Sequence, residues 1–287
     1  MKKIVLTTFV LIASIQLSAQ DLFDVLDKEA PETENIVSAT FKGTRIVNGH
    51  SVENRKEKEL EFIIAHRFGA INTGVEDLFG LDISNIRFSF EYGLTDNLTA
   101  GLSRASVEKT YEGFLKYSLL KQKTGVNSFP FAISLFGSIA AKSEKTIPGI
   151  ERARSFEESL FHTAQVLIAR KINATVSVQL TPTYVHRNLT ATFDDPHDIF
   201  ATGLGTRVKL SKRVSLNAEY FYQFNKLDSI DTTNSLAFGV DIETGGHVFQ
   251  IILANSRRMV EKSFITETTG NFFEGDIHLG FNLSRTF

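Results

Sequence analysis

From residue 58 to the end, apolar and polar residues alternate in short, separated runs. The clearest is the last. Ile277, Leu279, Phe281 and Leu283 fall on every second position, with Asp276, His278, Gly280, Asn282 and Ser284 between them. A period of two places one set on each face of a strand. Run 84–94 sets Ile86, Phe88, Phe90, Tyr92 and Leu94 against Arg87, Ser89, Glu91 and Gly93. Twelve candidates of this kind can be marked: 58–68, 84–94, 97–107, 109–120, 128–141, 157–170, 174–185, 198–210, 213–224, 234–243, 247–256 and 277–287. Ten or fourteen strands also remain compatible with the pattern. Run 157–170 is the least regular, because Phe161 and Leu167 break its alternation.

The links between candidates sort by length. Thr95-Asp96, 121–127, 171–173, Ser211-Lys212 and 244–246 are short; 69–83, 142–156, 186–197, 225–233 and 257–273 are long. Only the link at Glu108 is tight among the long set. Such alternation fits an all-β, antiparallel, up-and-down transmembrane barrel of about twelve strands, with short turns at one rim and long loops at the other. In lipid every backbone polar group must pair within the protein, so a spanning sheet must close on itself. The apolar faces would then contact outer-membrane lipid, with Tyr92 and Tyr222 near the interfaces. The chain stops on Phe287, in phase with the apolar face. A last strand ending on an aromatic resembles the C-terminal signature of bacterial outer-membrane barrels. The resemblance implies the barrel assembly machinery as a partner.

The N-terminus changes the picture only before residue 58. Lys2 and Lys3, an apolar stretch over 4–15 and Ser18-Ala19-Gln20 read as a signal peptide over 1–20, cleaved near Gln20. The apolar stretch is too short to span a membrane. Residues 21–57 combine a short amphipathic stretch, a linker at Pro31 and a Gly- and Asn-punctuated part over 43–53. They are expected to form a periplasmic segment or a plug, with the barrel over 58–287. There is no cysteine, so disulfides, thiolate chemistry and a lipid anchor are excluded. Twenty-five Phe, five Pro and no Trp suit strands with one apolar face, and a net charge of −2 gives no sign of nucleic acid.

If the apolar faces point outward, the lumen is lined by Arg67, Arg87, Glu91, Glu112, Lys116, Arg207, Lys209, Glu219, Asp241 and Asp276, with Glu61 and His278 among them. Arg67, Arg87 and Asp276 should lie near the outer end, Lys209 and Asp241 near the inner one. A ring of one sign would suggest ion selectivity; mixed signs suggest internal pairing that narrows or seals the barrel.

Candidate chemistry is sparse. No two histidines have the i, i+4 spacing of a helical zinc motif. Gly203-Leu204-Gly205 lies within a strand, where small lumen residues explain it. The loop Asp194-Asp195-Pro196-His197-Asp198 groups three carboxylates and an imidazole, which suits a divalent cation or activation of a water. Its Asp195-x-His197 step resembles part of the site of outer-membrane aspartyl-type proteases, but no second acidic pair accompanies it. The His-x-Ser step of the outer-membrane phospholipase is absent. No cofactor, metal or catalytic residue is assigned.

Phe41-Lys42-Gly43-Thr44-Arg45, Asn48-Gly49-His50-Ser51-Val52-Glu53, His66-Arg67-Phe68-Gly69, Glu91-Tyr92-Gly93-Leu94 and the aromatic end together resemble an uncharacterised outer-membrane β-barrel family of Gram-negative envelopes. The resemblance implies a barrel and an outer-membrane location, and no reaction. The leading expectation is a channel or small-solute transporter, or an accessory envelope barrel with a partner there. The alternatives are an outer-membrane hydrolase of protease or lipase type, using the acidic loop, and a sealed structural or docking barrel.

Overall fold

The computed structural model describes residues 33–144, 146–147 and 150–287. The expected signal segment and residues 21–32 lie outside the described residues. Twelve strands close into one antiparallel barrel: β1 (Leu60–Ala70), β2 (Ser84–Thr95), β3 (Leu98–Ala105), β4 (Thr110–Leu120), β5 (Ala132–Lys142), β6 (Leu160–Lys171), β7 (Val176–Arg187), β8 (Asp198–Lys209), β9 (Val214–Gln223), β10 (Ser235–Thr244), β11 (His247–Ala254) and β12 (His278–Thr286). Each strand pairs with its chain neighbours, and β12 closes onto β1 with Leu283 opposite Ile64. Closure leaves no unpaired edge. The last residue belongs to the seam: the Phe287 N–H donates to the Leu60 carbonyl at 2.8 Å, and the Leu60 N–H to the Phe287 carbonyl at 3.3 Å.

The twelve runs and their order match the alternation, as does the sorting of links. Most boundaries shift by one to three residues, and the largest shift is at β5. β5 begins at Ala132 rather than 128, because Phe129 and Lys123 exchange backbone hydrogen bonds of 2.8 and 3.1 Å and Pro130 has no N–H to offer a ladder. Beside this turn, Asn35–Ile36 pairs antiparallel with Lys123–Thr124, which places the start of the described chain at the short-turn end.

Burial alternates along the strands. On β8, Ile199, Ala201, Gly203, Gly205 and Arg207 are buried, while Phe200 and Leu204 are exposed. Leu102, Tyr111, Leu115, Ile139 and Phe238 are exposed in the same way on other strands, giving the wall an apolar outer belt. So large an apolar surface is foreign to a protein in water.

The inner face holds more than the expected polar residues. Phe114, Phe136, Phe161, Leu167, Ile199, Phe221 and Ile252 are buried inside. Two pieces of chain cover them. Residues 40–52 thread into the lumen, and Phe41, Ile46, Val47 and Val52 form one cluster with Phe114, Phe136, Leu167 and Ile252. From the long-loop end, the link 255–277 folds inward. It carries the helix α1 (Glu261–Thr266), every residue of which is buried. Phe264 and Ile265 of α1 pack with Phe221 and Ala201. Each apolar side chain buried in this way contributes about 1.5–3 kcal/mol. Phe161 and Leu167, which interrupt the alternation of run 157–170, are thus wall residues turned toward the filling.

Two inward glycines are there for space. A Cβ on Gly93 would overlap the Lys56 backbone where the chain enters the lumen, and Ile46 Cδ1 fills the place of a Cβ on Gly205. Neither needs a left-handed backbone, so close approach alone explains the residue type.

Candidate functional site

The candidate site is the filled lumen, and its centre is a hairpin turn. The Ile46 N–H donates to the Gly49 carbonyl and the Ser51 N–H to the Thr44 carbonyl, both at 2.9 Å. This turn aims three consecutive backbone N–H groups at one wall carboxylate. Val47, Asn48 and Gly49 donate to Glu219 of β9 at 3.1, 2.8 and 3.1 Å. A carboxylate held by several N–H donors is a strong anchor, since hydrogen bonds to a charged group contribute about 1.5–3 kcal/mol each.

The segment's other backbone groups find wall side chains. Gln250 donates to the Ile46 carbonyl at 2.7 Å, and Asn282 to that of Val47 at 3.0 Å. Gln179 donates to the His50 carbonyl at 2.8 Å and accepts from the Val52 N–H at 2.9 Å. Lys116 reaches the carbonyls of Ser51 and Glu53 at 3.3 and 2.5 Å. Side chains add to this. Arg67 donates to Asn48 Oδ1 at 2.7 Å, Arg45 pairs with Glu91 at 2.9 Å, and the Thr44 hydroxyl donates to Glu61 at 2.7 Å. Arg207 approaches the carbonyls of Ala39 and Thr40 at 3.4 and 3.5 Å. A void beside the segment, lined by Thr44, Arg45, Glu61, Asp241 and Gln250 among others, measures about 30 Å³. That is room for a water or two and not for a solute.

The infolded link meets the wall through ion pairs. Arg87 of β2 pairs with Glu112 at 2.6 Å and donates to the Met259 carbonyl at 2.5 Å. Lys262 of α1 lies 2.6 Å from Glu108 and 3.3 Å from Glu267, with its ammonium 4.2 Å from the centre of the Phe161 ring. Arg258 spans the same two carboxylates at 2.9 and 3.2 Å. Burial alone would raise the pKa of Glu108, but Lys262, Lys142 and Arg258 hold it well below the usual carboxylate range. Beyond this seal a polar cleft of about 370 Å³, lined by Arg257, Thr268, Thr269, Asp276 and His278 among others, opens at the long-loop end.

The expected lumen residues are placed as follows. Arg67, Arg87, Glu91, Glu112, Lys116, Arg207, Glu219 and Asp241 are buried, and each touches or pairs with the filling or with a side chain that holds it. Asp241 serves the wall, accepting from Gln250 at 2.6 Å and Ser215 at 3.2 Å. Two expectations are corrected. Lys209 keeps the phase of Arg207, but as the last residue of β8 it is exposed at the rim. Asp276 precedes β12 and belongs to the long link, where its carboxylate accepts from Asn72 at 2.6 Å and the Asn271 N–H at 2.9 Å.

The acidic loop is not drawn into one cluster. Asp194 is exposed. Asp195 accepts from the N–H groups of Thr192 and Ser229 at 3.3 and 2.8 Å, tying two links together. Asp198 accepts from Tyr184 and His186 instead, at 2.6 and 2.7 Å, and His197 turns to the Arg187 carbonyl at 2.7 Å. Among the described residues no three His, Asp or Glu side chains are grouped to hold a metal ion.

Pattern reading missed the inward Phe114, Phe136, Leu167 and Ile252, and the role of Gln179, Gln250 and Asn282. The signal was present: a water-filled lumen has no use for large apolar residues on its polar face.

A closed barrel of even strand number with an apolar belt defines a membrane β-barrel. Residues 41–287 match the family described as a membrane bound beta barrel domain (DUF5777), and the chain belongs to that family. The match begins at Phe41, so it takes in the lumen segment together with the barrel. Among solved structures, the chain is similar to the NanC porin, with 7% identity and a TM-score of 0.51 over 79% of this chain and 98% of that one. It is also similar to the KdgM porin, with 9% identity and a TM-score of 0.47 over 80% and 98%. A third is an outer membrane channel from Pseudomonas putida F1, with 13% identity and a TM-score of 0.48 over 81% and 96%. At 7% identity the likeness to the NanC porin is one of fold. No curated protein sequence matches the chain.

Proposed function

We propose that the protein is an exported outer-membrane barrel, with its short turns in the periplasm, that conducts a small solute when residues 40–52 leave the lumen and the link 255–277, which meets them at His50 and Glu261, loosens in turn. In this reading the segment is a removable plug. What supports it is the chemistry of the contact. Glu219 takes three backbone N–H groups of the turn, and Gln179, Gln250, Asn282 and Lys116 serve its other backbone groups. Each of these wall groups can exchange its bond to the segment for one to water. Burying so many charged and polar groups is a poor way to make a permanent seal, because well-packed apolar residues of similar volume are often as stable or more so.

The rival is a permanently sealed structural barrel, and the second closure by α1 is the observation in its favour. The Glu219→Ala variant separates the two. It strands three buried N–H groups, each at about 1–3 kcal/mol. The plug reading expects openings in a planar bilayer at least tenfold more frequent than in the parent chain. An inserted, folded variant as silent as the parent would favour the sealed barrel.

A further inference from the structure

The outward face of the barrel carries a feature unrelated to the lumen. At the long-loop end three imidazoles stand in a row. His162 of β6 and His186 of β7 are direct partners in the ladder, with ring centroids 6.0 Å apart. On the other side of His186 lies His197, in the link before β8, with its centroid 6.1 Å away and its ring tilted by 24°. Asp198, the first residue of β8, is the ladder partner of His186.

Two of these rings have one nitrogen engaged by an acceptor. His186 Nδ1 lies 2.7 Å from Asp198 Oδ1, and the Tyr184 hydroxyl donates to the same oxygen at 2.6 Å, fixing the carboxylate. His197 Nδ1 lies 2.7 Å from the Arg187 carbonyl. A carboxylate or carbonyl accepts only if Nδ1 bears the proton, so each ring presents its Nε2 lone pair. Neither Nε2 has a partner among the described residues. Imidazole ligands of metal ions are held in this way, one nitrogen donating to a carboxylate or a carbonyl while the other takes the ion.

We propose that His186 and His197 form a surface site for a borderline divalent transition-metal ion, such as Zn²⁺, Ni²⁺ or Cu²⁺, with water completing the coordination. Two imidazoles bound to one such ion have centroids roughly 4.5–6.4 Å apart, from about 5 Å at a tetrahedral N–metal–N angle to about 6.4 Å with the rings opposed, given an N–metal distance of about 2.0–2.1 Å. The observed 6.1 Å falls in that range. Nitrogen donors select these ions over Ca²⁺ and Mg²⁺, which require oxygen. No third protein ligand converges on the pair, so the affinity is that of a two-ligand site, micromolar rather than nanomolar. His162 lies on the far side of His186 and is not a ligand. The bound ion would fasten the end of the 188–197 link to β7.

The test is calorimetric titration of untagged, detergent-folded full-length protein with NiCl₂ and ZnCl₂, with heat-dependent gel mobility as the folding control for every variant. The expected result is one ion per chain. Binding should be weakened about tenfold or more by His186→Ala and by His197→Ala, and about tenfold by Asp198→Asn, the usual effect of removing a ligand's hydrogen-bonded support. His162→Ala should leave it within about threefold of the parent, since that ring stands outside the assigned pair. No saturable binding, binding indifferent to His186→Ala, or a loss on His162→Ala as large as on His197→Ala would overturn the assignment.

Discussion

His50 Nε2 lies 3.4 Å from Glu261 Oε1, and both side chains are fully buried at the middle of the barrel. His50 belongs to the segment that enters from the short-turn end, Glu261 to the helix that folds in from the long-loop end. The two closures therefore meet. The His50 ring lies tilted against Phe136 and edge-on to Phe114, at centroid distances of 4.2 and 4.7 Å, and Arg87 lies 3.6 Å from Glu261 Oε2. Burial, followed by Arg45, Lys116 and Arg87, keeps the His50 pKa well below its ordinary value. Burial, followed by the charge of Glu112, pushes the Glu261 carboxyl up to about 8, although Arg87 and Arg45 oppose this. At neutral pH the contact joins a neutral imidazole to a protonated carboxyl.

The closure should loosen in alkali. A carboxyl raised from an ordinary value near 4.5 to about 8 gives stability that is complete below pH 4.5 and lost as pH rises through about 8. Opening events in a planar bilayer should become more frequent from pH 6 to pH 9. Glu261→Gln should flatten that dependence, since it keeps the neutral form at every pH. A parent chain whose openings ignore this range would contradict the assignment.

The outer closure depends on Glu108, the common partner of Lys262, Lys142 and Arg258 at 2.6, 2.7 and 2.9 Å. Removing one member of such a buried network leaves unpaired charge and costs about 3–5 kcal/mol. Glu108→Ala should release the link 255–277, read as trypsin cleavage after Arg257, Arg258 or Lys262 in the folded protein. Because the Glu108 pKa is held low, the parent clamp should survive acid below the ordinary carboxylate range.

Leu167 is fully buried among Phe41, Val47 and Val52 of the segment and Phe136 of the wall. Leu167→Ala should lower the unfolding free energy by about 2–5 kcal/mol in the full chain. In a chain lacking residues 21–52 the same substitution should matter much less, because its packing partners are gone. Urea unfolding of the four proteins gives this difference directly.

Leu167 also marks what the sequence made legible. Period-two alternation was enough for strand order, closure and the outward belt, because lipid-facing and inward residues are chemically distinct on every strand, and it left ten, twelve or fourteen strands open where the structure has twelve. The lumen was legible in its charges: Arg67, Glu91, Lys116 and Glu219 all face inward as the phase requires. Their partners were not, because residues 40–52 are held by backbone groups, which no residue type announces. Lys209 and Asp276 were misplaced because phase alone does not say where a strand stops. His162 and His186 are distant in sequence and come together through ladder register, and His197 joins them from the link before β8.

The C-terminal aromatic carries a separate expectation. The Phe287 side chain is exposed, while its backbone completes the seam with Leu60. Deleting Phe287 removes both the aromatic end and two seam hydrogen bonds. Heat-modifiable barrel in outer-membrane fractions should fall at least severalfold, and Phe287→Ala, which keeps the backbone pairing, should share most of the loss if the aromatic itself is read during assembly.

Closure of the lumen by residues 40–52 is read out by single-channel conductance. The full-length protein and a chain lacking residues 21–52 would be folded in detergent, checked by gel mobility and inserted into planar bilayers. The full chain should show long silence with rare openings, and the shortened one discrete, frequent conductance steps. A full chain that conducts continuously, or a shortened chain that inserts and stays silent, would contradict this closure.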